Sequence, residues 1–186
     1  MSDDHMNALP PGYEFEGYRI ERVLGAGGFG ITYLATEIAI DRQVAIKEYL
    51  PISIAGRNQA DHTVVPVSAQ DAGDFKWGLD RFRKEAATLV AFRHPNIVSV
   101  LRFFEALGTS YLVMEYEVGE SLEAVLRREQ TIGEDRLRAI VMPLLDGLEQ
   151  VHDKGFLHRD IKPDNIYLRQ DGSPVLLDFG ATREAL

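Results

Sequence analysis

The sequence contains no cysteine, which excludes disulfides and thiolate metal sites. It has no apolar run near the ~18 residues that cross a bilayer as a helix, and no basic-then-apolar opening of the secretory kind. Positive charge is in short supply: 20 Lys and Arg stand against 29 Asp and Glu, for a formal net charge of -9. That balance offers no electrostatic footprint for nucleic acid or an anionic membrane, although it leaves room for a local phosphate pocket. Internal repeats and low-complexity tracts are missing as well. The expectation is a cytoplasmic protein with no nucleic-acid partner and no membrane segment in this chain.

What is present is enough for one substantial core or two small lobes: 186 residues, 45% of them hydrophobic. Residues 1–17, broken by Pro10, Pro11 and Gly12, read as a flexible leader. From Tyr18 the chain alternates apolar and polar residues as a half-buried strand does, and runs into Gly25-Ala26-Gly27-Gly28-Phe29-Gly30. Glycines in that spacing let backbone approach a ligand and turn N–H groups toward phosphate oxygens. The same spacing opens a dinucleotide-binding helix. Here the β-branched and aromatic run Ile31 to Thr36 follows, so the glycines join two strands. A hairpin lid over phosphates and a glycine-rich hairpin without ligand both remain open on these residues alone.

Val44-Ala45-Ile46-Lys47 is a further strand whose period of two puts Ala45 and Lys47 on one face. A small residue beside a lysine leaves space for a flat ring and a cation for its phosphates; a solvated strand lysine is the other reading. Residues 51–73 carry scattered Pro, Gly, Asn and Asp, and read as a surface insertion with one short strand near Thr63 to Val65. A helix is predicted from Asp74, with Leu79, Phe82, Ala86, Leu89 and Val90 at helical spacing and Glu85 at the border of the apolar arc. An inward Glu85 needs a cation, and Lys47 is the natural one; a solvated Glu85 is the alternative.

Two apolar runs, Ile97 to Phe104 and Tyr111 to Tyr116, complete a small sheet. After a connector at Glu115 to Gly119, Ser121 caps a short helix through Arg128. The stripe Leu137, Ile140, Val141, Leu144, Leu145, Leu148 and Val151 predicts a long helix, with a kink or break at Pro143. Asp171-Gly172 between Ile166–Arg169 and Pro174–Leu177 predicts a hairpin. Between helix and hairpin lies His158-Arg159-Asp160-Ile161-Lys162-Pro163-Asp164-Asn165, which packs two carboxylates, two cations, a histidine and an amide into eight residues. Pro163 keeps it out of a regular helix interior, so this is chemistry laid out on a loop.

Taken in order, the glycine loop, Val-Ala-Ile-Lys, the helix glutamate, His-Arg-Asp-x-Lys-Pro-x-Asn and Asp178-Phe179-Gly180 closely resemble the eukaryotic-like, bacterial-type protein serine/threonine kinase family. The resemblance covers roughly Tyr18 to Leu186. It implies an α+β, protein kinase-like fold: a small β-rich N-lobe with one long helix over 18–116, carrying the insertion at 51–73, then a hinge and an incomplete helical C-lobe over 117–186. It implies ATP and magnesium as cofactors and a protein Ser/Thr hydroxyl as substrate. Lys47, positioned by Glu85, would hold the α- and β-phosphates beneath the loop of Gly25, Gly27, Gly28 and Gly30. Asp160 would accept the substrate proton, Lys162 would contact phosphate, and Asn165 and Asp178 would bind magnesium. Met114 would gate the adenine pocket, the backbones of Glu115 and Glu117 would face the adenine edge, and Leu24, Thr32, Ala45 and Tyr167 would line the ring site. Leu89, Val100, His158 and Phe179 would form a stacked spine.

Three departures stand out. Thr32 replaces a usual valine, Tyr167 replaces a usual leucine, and the stretch between Lys47 and Glu85 is long for the family. Only eight residues follow Asp178. The expectation is therefore a kinase domain truncated soon after Asp-Phe-Gly, with the Leu137 to Val151 stripe left open to self-association. The reading is an enzyme transferring the γ-phosphoryl group of ATP; the alternative is a nucleotide-binding or interaction module without catalysis.

Overall fold

The alternation from Tyr18 becomes a pleat in the computed structural model: Tyr18 and Ile20 are buried while Arg19 and Glu21 are exposed. The structure describes residues 7–90, 92–177 and 183–184, without the side chains of Glu85, Thr88, Arg183 and Glu184. The chain divides into two units, Met1–Ala87 with Val100–Tyr116, and Thr88–Ser99 with Glu117–Leu186.

The first unit is built on strands β1 (Glu14–Phe15), β2 (Tyr18–Gly27), β3 (Gly30–Glu37) and β4 (Arg42–Tyr49). A short pair, β5 (Ala55–Arg57) and β6 (Val64–Pro66), precedes helix α1 (Asp71–Leu89), and β7 (Val100–Ala106) and β8 (Thr109–Glu115) follow. Six of the strands form one antiparallel sheet in the order β1-β2-β3-β4-β8-β7. Ladder register separates its faces. Ile31, Tyr33 and Ala35 of β3, Val44, Ile46 and Glu48 of β4, and Tyr111 and Val113 of β8 share one face and are all buried. Thr32, Leu34, Ala45, Lys47, Leu112 and Met114 share the other.

Helix α1 serves the face that carries Lys47 and Tyr49. Phe75, Phe82, Ala86 and Leu89 are buried, and the Tyr49 ring lies 5.4 Å from that of Phe75 and 5.8 Å from that of Phe82. The approach is close enough that a Cβ on Gly78 would stand 2.0 Å from the Tyr49 hydroxyl oxygen. A mid-helix Gly→Ala change ordinarily adds up to about 1 kcal/mol of helix stability. Here the overpacking dominates, and Gly78→Ala is expected to destabilise the fold by roughly 1–3 kcal/mol. Urea denaturation checks this, with Tyr49→Phe in the same background expected to restore part of the loss. The helix begins at Asp71, three residues before the expected Asp74, because Ser68 Oγ accepts from Asp71 N at 3.3 Å and donates to Asp71 Oδ2 at 2.6 Å.

Two expectations are corrected on the opposite face. From Asn7 onward the leader is part of the fold: Leu9 is 1% exposed and its N–H donates to Tyr33 Oη, Gly12 N donates to Ile20 O, and β1 pairs with β2. The stretch 51–73 holds two paired strands instead of one, and it reaches the core. Arg57 of β5 is buried, donates from Nη2 to Glu48 Oε2 at 2.5 Å, from Nη1 to His62 O, and from Nε to Asn7 O. Glu48 also accepts from Tyr33 Oη at 2.7 Å and Tyr111 Oη at 2.5 Å. Three donors thus converge on one buried carboxylate, as its lone pairs require.

In the second unit β9 (Gly119–Ser121) leads into α2 (Leu122–Glu129), α3 (Glu134–Asp153), β10 (Phe156–Leu157), a 3₁₀ turn at Pro163–Asn165, β11 (Ile166–Arg169), β12 (Pro174–Leu176) and β13 (Arg183–Glu184). Ser121 caps α2 as expected, its Oγ accepting from Ala124 N at 3.1 Å. The Asp171-Gly172 turn joins β11 and β12, with Ser173 N and Oγ both donating to Asp171 Oδ1. β9 adds to β11, giving a three-stranded sheet in the order β12-β11-β9.

Helix α3 runs through Pro143 as one continuous helix, so of the expected kink or break, the break is not met. Ile140, Leu144, Leu148 and Val151 are buried, while Leu137, Val141 and Leu145 of the same stripe stand exposed. His94 and Ile97 lie against Gly147 of α3. Asn96 and Val98 bond Leu176 of β12 through their backbones, and Asn96 Nδ2 donates to Pro174 O at 2.7 Å. These bonds place Thr88–Ser99 in this unit, where the sequence had assigned it to the β-rich half. No helix among the described residues is long and apolar enough to cross a membrane.

Candidate active site

Register brings the first unit's candidate residues onto two neighbouring rungs of one sheet face. Gly25 pairs Thr32, Thr32 pairs Lys47, and Lys47 pairs Leu112; two residues along, Leu34 pairs Ala45 and Ala45 pairs Met114. Ala45 and Met114 are each 9% exposed, so the small side chain lies between two larger ones, and half-buried Lys47 is next along the face. The β2–β3 hairpin closes at Gly27 and Gly30 with Phe29 at its exposed tip.

Only one of the four loop glycines is dictated by packing. A Cβ on Gly30 would stand 1.9 Å from the Glu48 carbonyl oxygen, whereas one on Gly25, Gly27 or Gly28 would meet nothing within 4 Å. Nothing in the chain's own described packing demands those three glycines. The open space beside them leaves the backbone accessible to close approach.

In the second unit, His158 to Asn165 is a tied loop. His158 is 1% exposed, and its ring is used on both sides. Nδ1 accepts from Asp160 N at 3.3 Å, which leaves the proton on Nε2, 3.3 Å from Leu177 O. Asn165 is buried and donates from Nδ2 to both Asp160 O at 2.8 Å and Asp160 Oδ2 at 2.9 Å. Lys162 Nζ meets the same Oδ2 at 3.0 Å. Leu177 N donates to Asn165 O, so two bonds fix the residue preceding Asp178. Arg159 takes φ +63°, a left-handed conformation uncommon for a residue with a side chain. The loop thus gathers one carboxylate, one ammonium and one amide within hydrogen-bond reach, on a buried histidine base.

Residues 18–185 match the protein kinase domain family. The chain belongs to that family. It is 37% identical to the serine/threonine-protein kinase PknA of Nostoc sp. over 91% of this chain and 28% of that protein. It is 32% identical to the serine/threonine-protein kinase PrkC of Bacillus subtilis over 88% of this chain and 22% of that protein. The solved structure described as PpkA-294 apo form superposes with a TM-score of 0.89 at 39% identity, covering 94% of this chain and 62% of that one. The chain therefore spans about a quarter of the length of these two curated kinases.

Two parts of the kinase signature lie outside the described residues: Asp178-Phe179-Gly180, and the side chain of Glu85. Of the residues expected to form a spine, Leu89, Val100 and His158 are each buried, and Phe179 lies outside the described residues. Tyr167, expected on the floor of the ring site, donates its hydroxyl to Gly119 O at 2.9 Å. The sequence reading missed the Glu48 cluster behind Lys47. The signal was present, since the alternation that sets Ala45 and Lys47 on one face sets Glu48 in phase with Val44 and Ile46 on the buried one.

That cluster carries a pH dependence. Burial first, and then the Glu48 charge, push the Tyr33 and Tyr111 hydroxyls well above their ordinary 10.0. Arg57 is held down by burial, but the Glu48 carboxylate outweighs this and its net shift is upward. Because the tyrosine shifts are upward, their stabilisation is complete below the unfolded value and is lost as pH rises past it. Above pH ~10 the unfolded chain releases protons that the folded chain keeps, so unfolding free energy falls by about 1.4 kcal/mol per pH unit for each tyrosine. Denaturation curves at pH 9 to 11 measure this slope, and Tyr111→Phe is expected to remove Tyr111's share of it.

Proposed function

We propose that this kinase-family chain transfers the γ-phosphoryl group of ATP to serine and threonine hydroxyls of proteins. The observation that carries the reading is the loop in which Asn165, Lys162 and the buried His158 converge on Asp160. Asp160 is the proton acceptor for the attacking hydroxyl, and Lys162 beside it neutralises phosphate charge during transfer. The Asn165 amide nitrogen is committed to Asp160, which leaves its amide oxygen as the atom for a cation. A hard oxygen donor of this kind suits magnesium, so Asn165 and Asp178 would hold the ion, which supplies charge neutralisation at the phosphates. In the first unit, the backbone of Gly25, Gly27 and Gly28 and the Lys47 ammonium meet the triphosphate, with Glu85 as partner of Lys47. Leu24, Thr32, Ala45 and Met114 of this unit line the ring and the Glu115 backbone reads its edge; in the second unit, Tyr167 and the Glu117 backbone are the candidates for the same ligand. An ATP-dependent activity agrees with a cytoplasmic location.

Incubation with magnesium and γ-labelled ATP, together with serine, threonine and tyrosine peptides, is expected to label serine and threonine. Nucleotide binding with no labelled product would reduce the chain to a nucleotide-binding module.

A further inference from the structure

The segment from Glu117 to Ser121 is fastened to β11 by an unusually complete set of contacts. Arg169 grips the Glu117 carboxylate with two parallel bonds, Nε to Oε2 and Nη2 to Oε1, both 2.7 Å. The pair is largely withdrawn from solvent, with side-chain exposures of 26% for Arg169 and 12% for Glu117. Nη1 of the same guanidinium donates to Pro95 O at 2.9 Å and reaches Ser173 Oγ at 3.5 Å. The ladder pairs Gly119 with Arg169, and the strands lie so close that a Cβ on Gly119 would fall 2.0 Å from Leu168 O. Tyr167 Oη then takes the Gly119 carbonyl.

Geometry distinguishes this pair from its neighbours. Arg128 and Glu120, joined on the same stretch, are 56% and 41% exposed, and exposed pairs of that sort contribute little. Arg169 and Glu117 form a two-bond fork in a partly dry setting, where direction as well as strength is fixed. Fifty-two residues separate them, so the contact is tertiary. The β11–β12 hairpin keeps its own ladder and its Asp171 turn without Arg169. The guanidinium ties down the chain at Glu117 through the fork and the chain at Pro95 through Nη1, while the ladder and Tyr167 hold Gly119.

We propose that Arg169 is a positioning residue for adenine recognition, holding the backbone at Glu117 in the shape that meets the ring edge. This rests on the reading that the Glu117 backbone faces the adenine. A preorganised backbone binds without the ordering loss that a loose one suffers. Arg169 touches no phosphate in this account, so it acts on the base and leaves the polyphosphate contacts alone.

The test titrates the 186-residue chain with magnesium-ADP and, separately, magnesium-tripolyphosphate, following melting in parallel. Arg169→Gln is expected to weaken ADP binding about five- to tenfold and leave tripolyphosphate binding unchanged. Arg169→Lys is expected to recover little, since an ammonium cannot form the two-bond fork. The exchange Arg169→Glu with Glu117→Arg is expected to recover more. Should Arg169→Gln not fold, Glu117→Gln reads the same pair from the other side. Equal loss for both ligands, or unchanged ADP affinity in a folded variant, would overturn the proposal. A wild-type chain that binds tripolyphosphate and not ADP, or that binds neither, removes the adenine reading and this inference with it.

Discussion

Glu48→Ala is expected to remove about 3–5 kcal/mol of folding stability, because it leaves a guanidinium buried without its counter-charge. Arg57 and Glu48 have side-chain exposures of 1% and 0%, so water cannot stand in for the lost carboxylate. Two tyrosine hydroxyls lose their acceptor in the same step, and a buried donor left unsatisfied adds its own desolvation penalty. Against a typical total of roughly 5–15 kcal/mol, one substitution is expected to bring the fold close to its limit. The damage should be local in character as well. Asn7 and Leu9 are attached to Arg57 and Tyr33, so faster amide exchange is expected at Leu9 before global unfolding. Replacing both charges with apolar residues of similar volume, Glu48→Leu with Arg57→Met, is expected to be milder than either charge removal alone. Equilibrium denaturation of the two singles and the double measures the coupling. A Glu48→Ala loss under about 1 kcal/mol would show that the cluster is not the buried ion pair described here.

Asp160→Asn is expected to lower phosphoryl transfer by roughly 10²–10⁴-fold with nucleotide affinity unchanged. The substitution is nearly isosteric and preserves the backbone bond from Asn165 Nδ2 to the carbonyl of residue 160. It removes the proton acceptor at Oδ2, the atom that both Asn165 and Lys162 address. An amide can still be held in the loop, but it cannot take a hydroxyl proton at neutral pH. Single-turnover transfer rates measured beside nucleotide titrations separate the two quantities. A rate within about tenfold of wild type would move the proton-acceptor role to another group.

Local signals carried much of the fold. The strand phases from Tyr18 to Lys47, the Ser121 cap and the Asp171-Gly172 hairpin each depend on residues a few positions apart, and each formed as read. The loop from His158 to Asn165 was legible for the same reason, its charged and polar residues lying within eight positions. What escaped reading depends on partners distant in sequence. Asn7 and Arg57 are 50 apart, Glu48 and Tyr111 63, and Glu117 and Arg169 52. A polar leader with two prolines gives no local hint that Leu9 will be covered by a sheet face. Gly78 likewise looks like a weak point in a helix until the Tyr49 ring occupies the space beside it.

We propose that this kinase-family chain assembles a site for magnesium-ATP. Thermal unfolding of the 186-residue chain with and without millimolar magnesium-ATP tests it most directly. At a nucleotide concentration near 100 times Kd, binding is expected to stabilise the fold by about 2.7 kcal/mol, or roughly 5–10 °C in Tm, with Lys47→Ala losing most of the shift. An unchanged Tm for the wild-type chain under those conditions would contradict the claim.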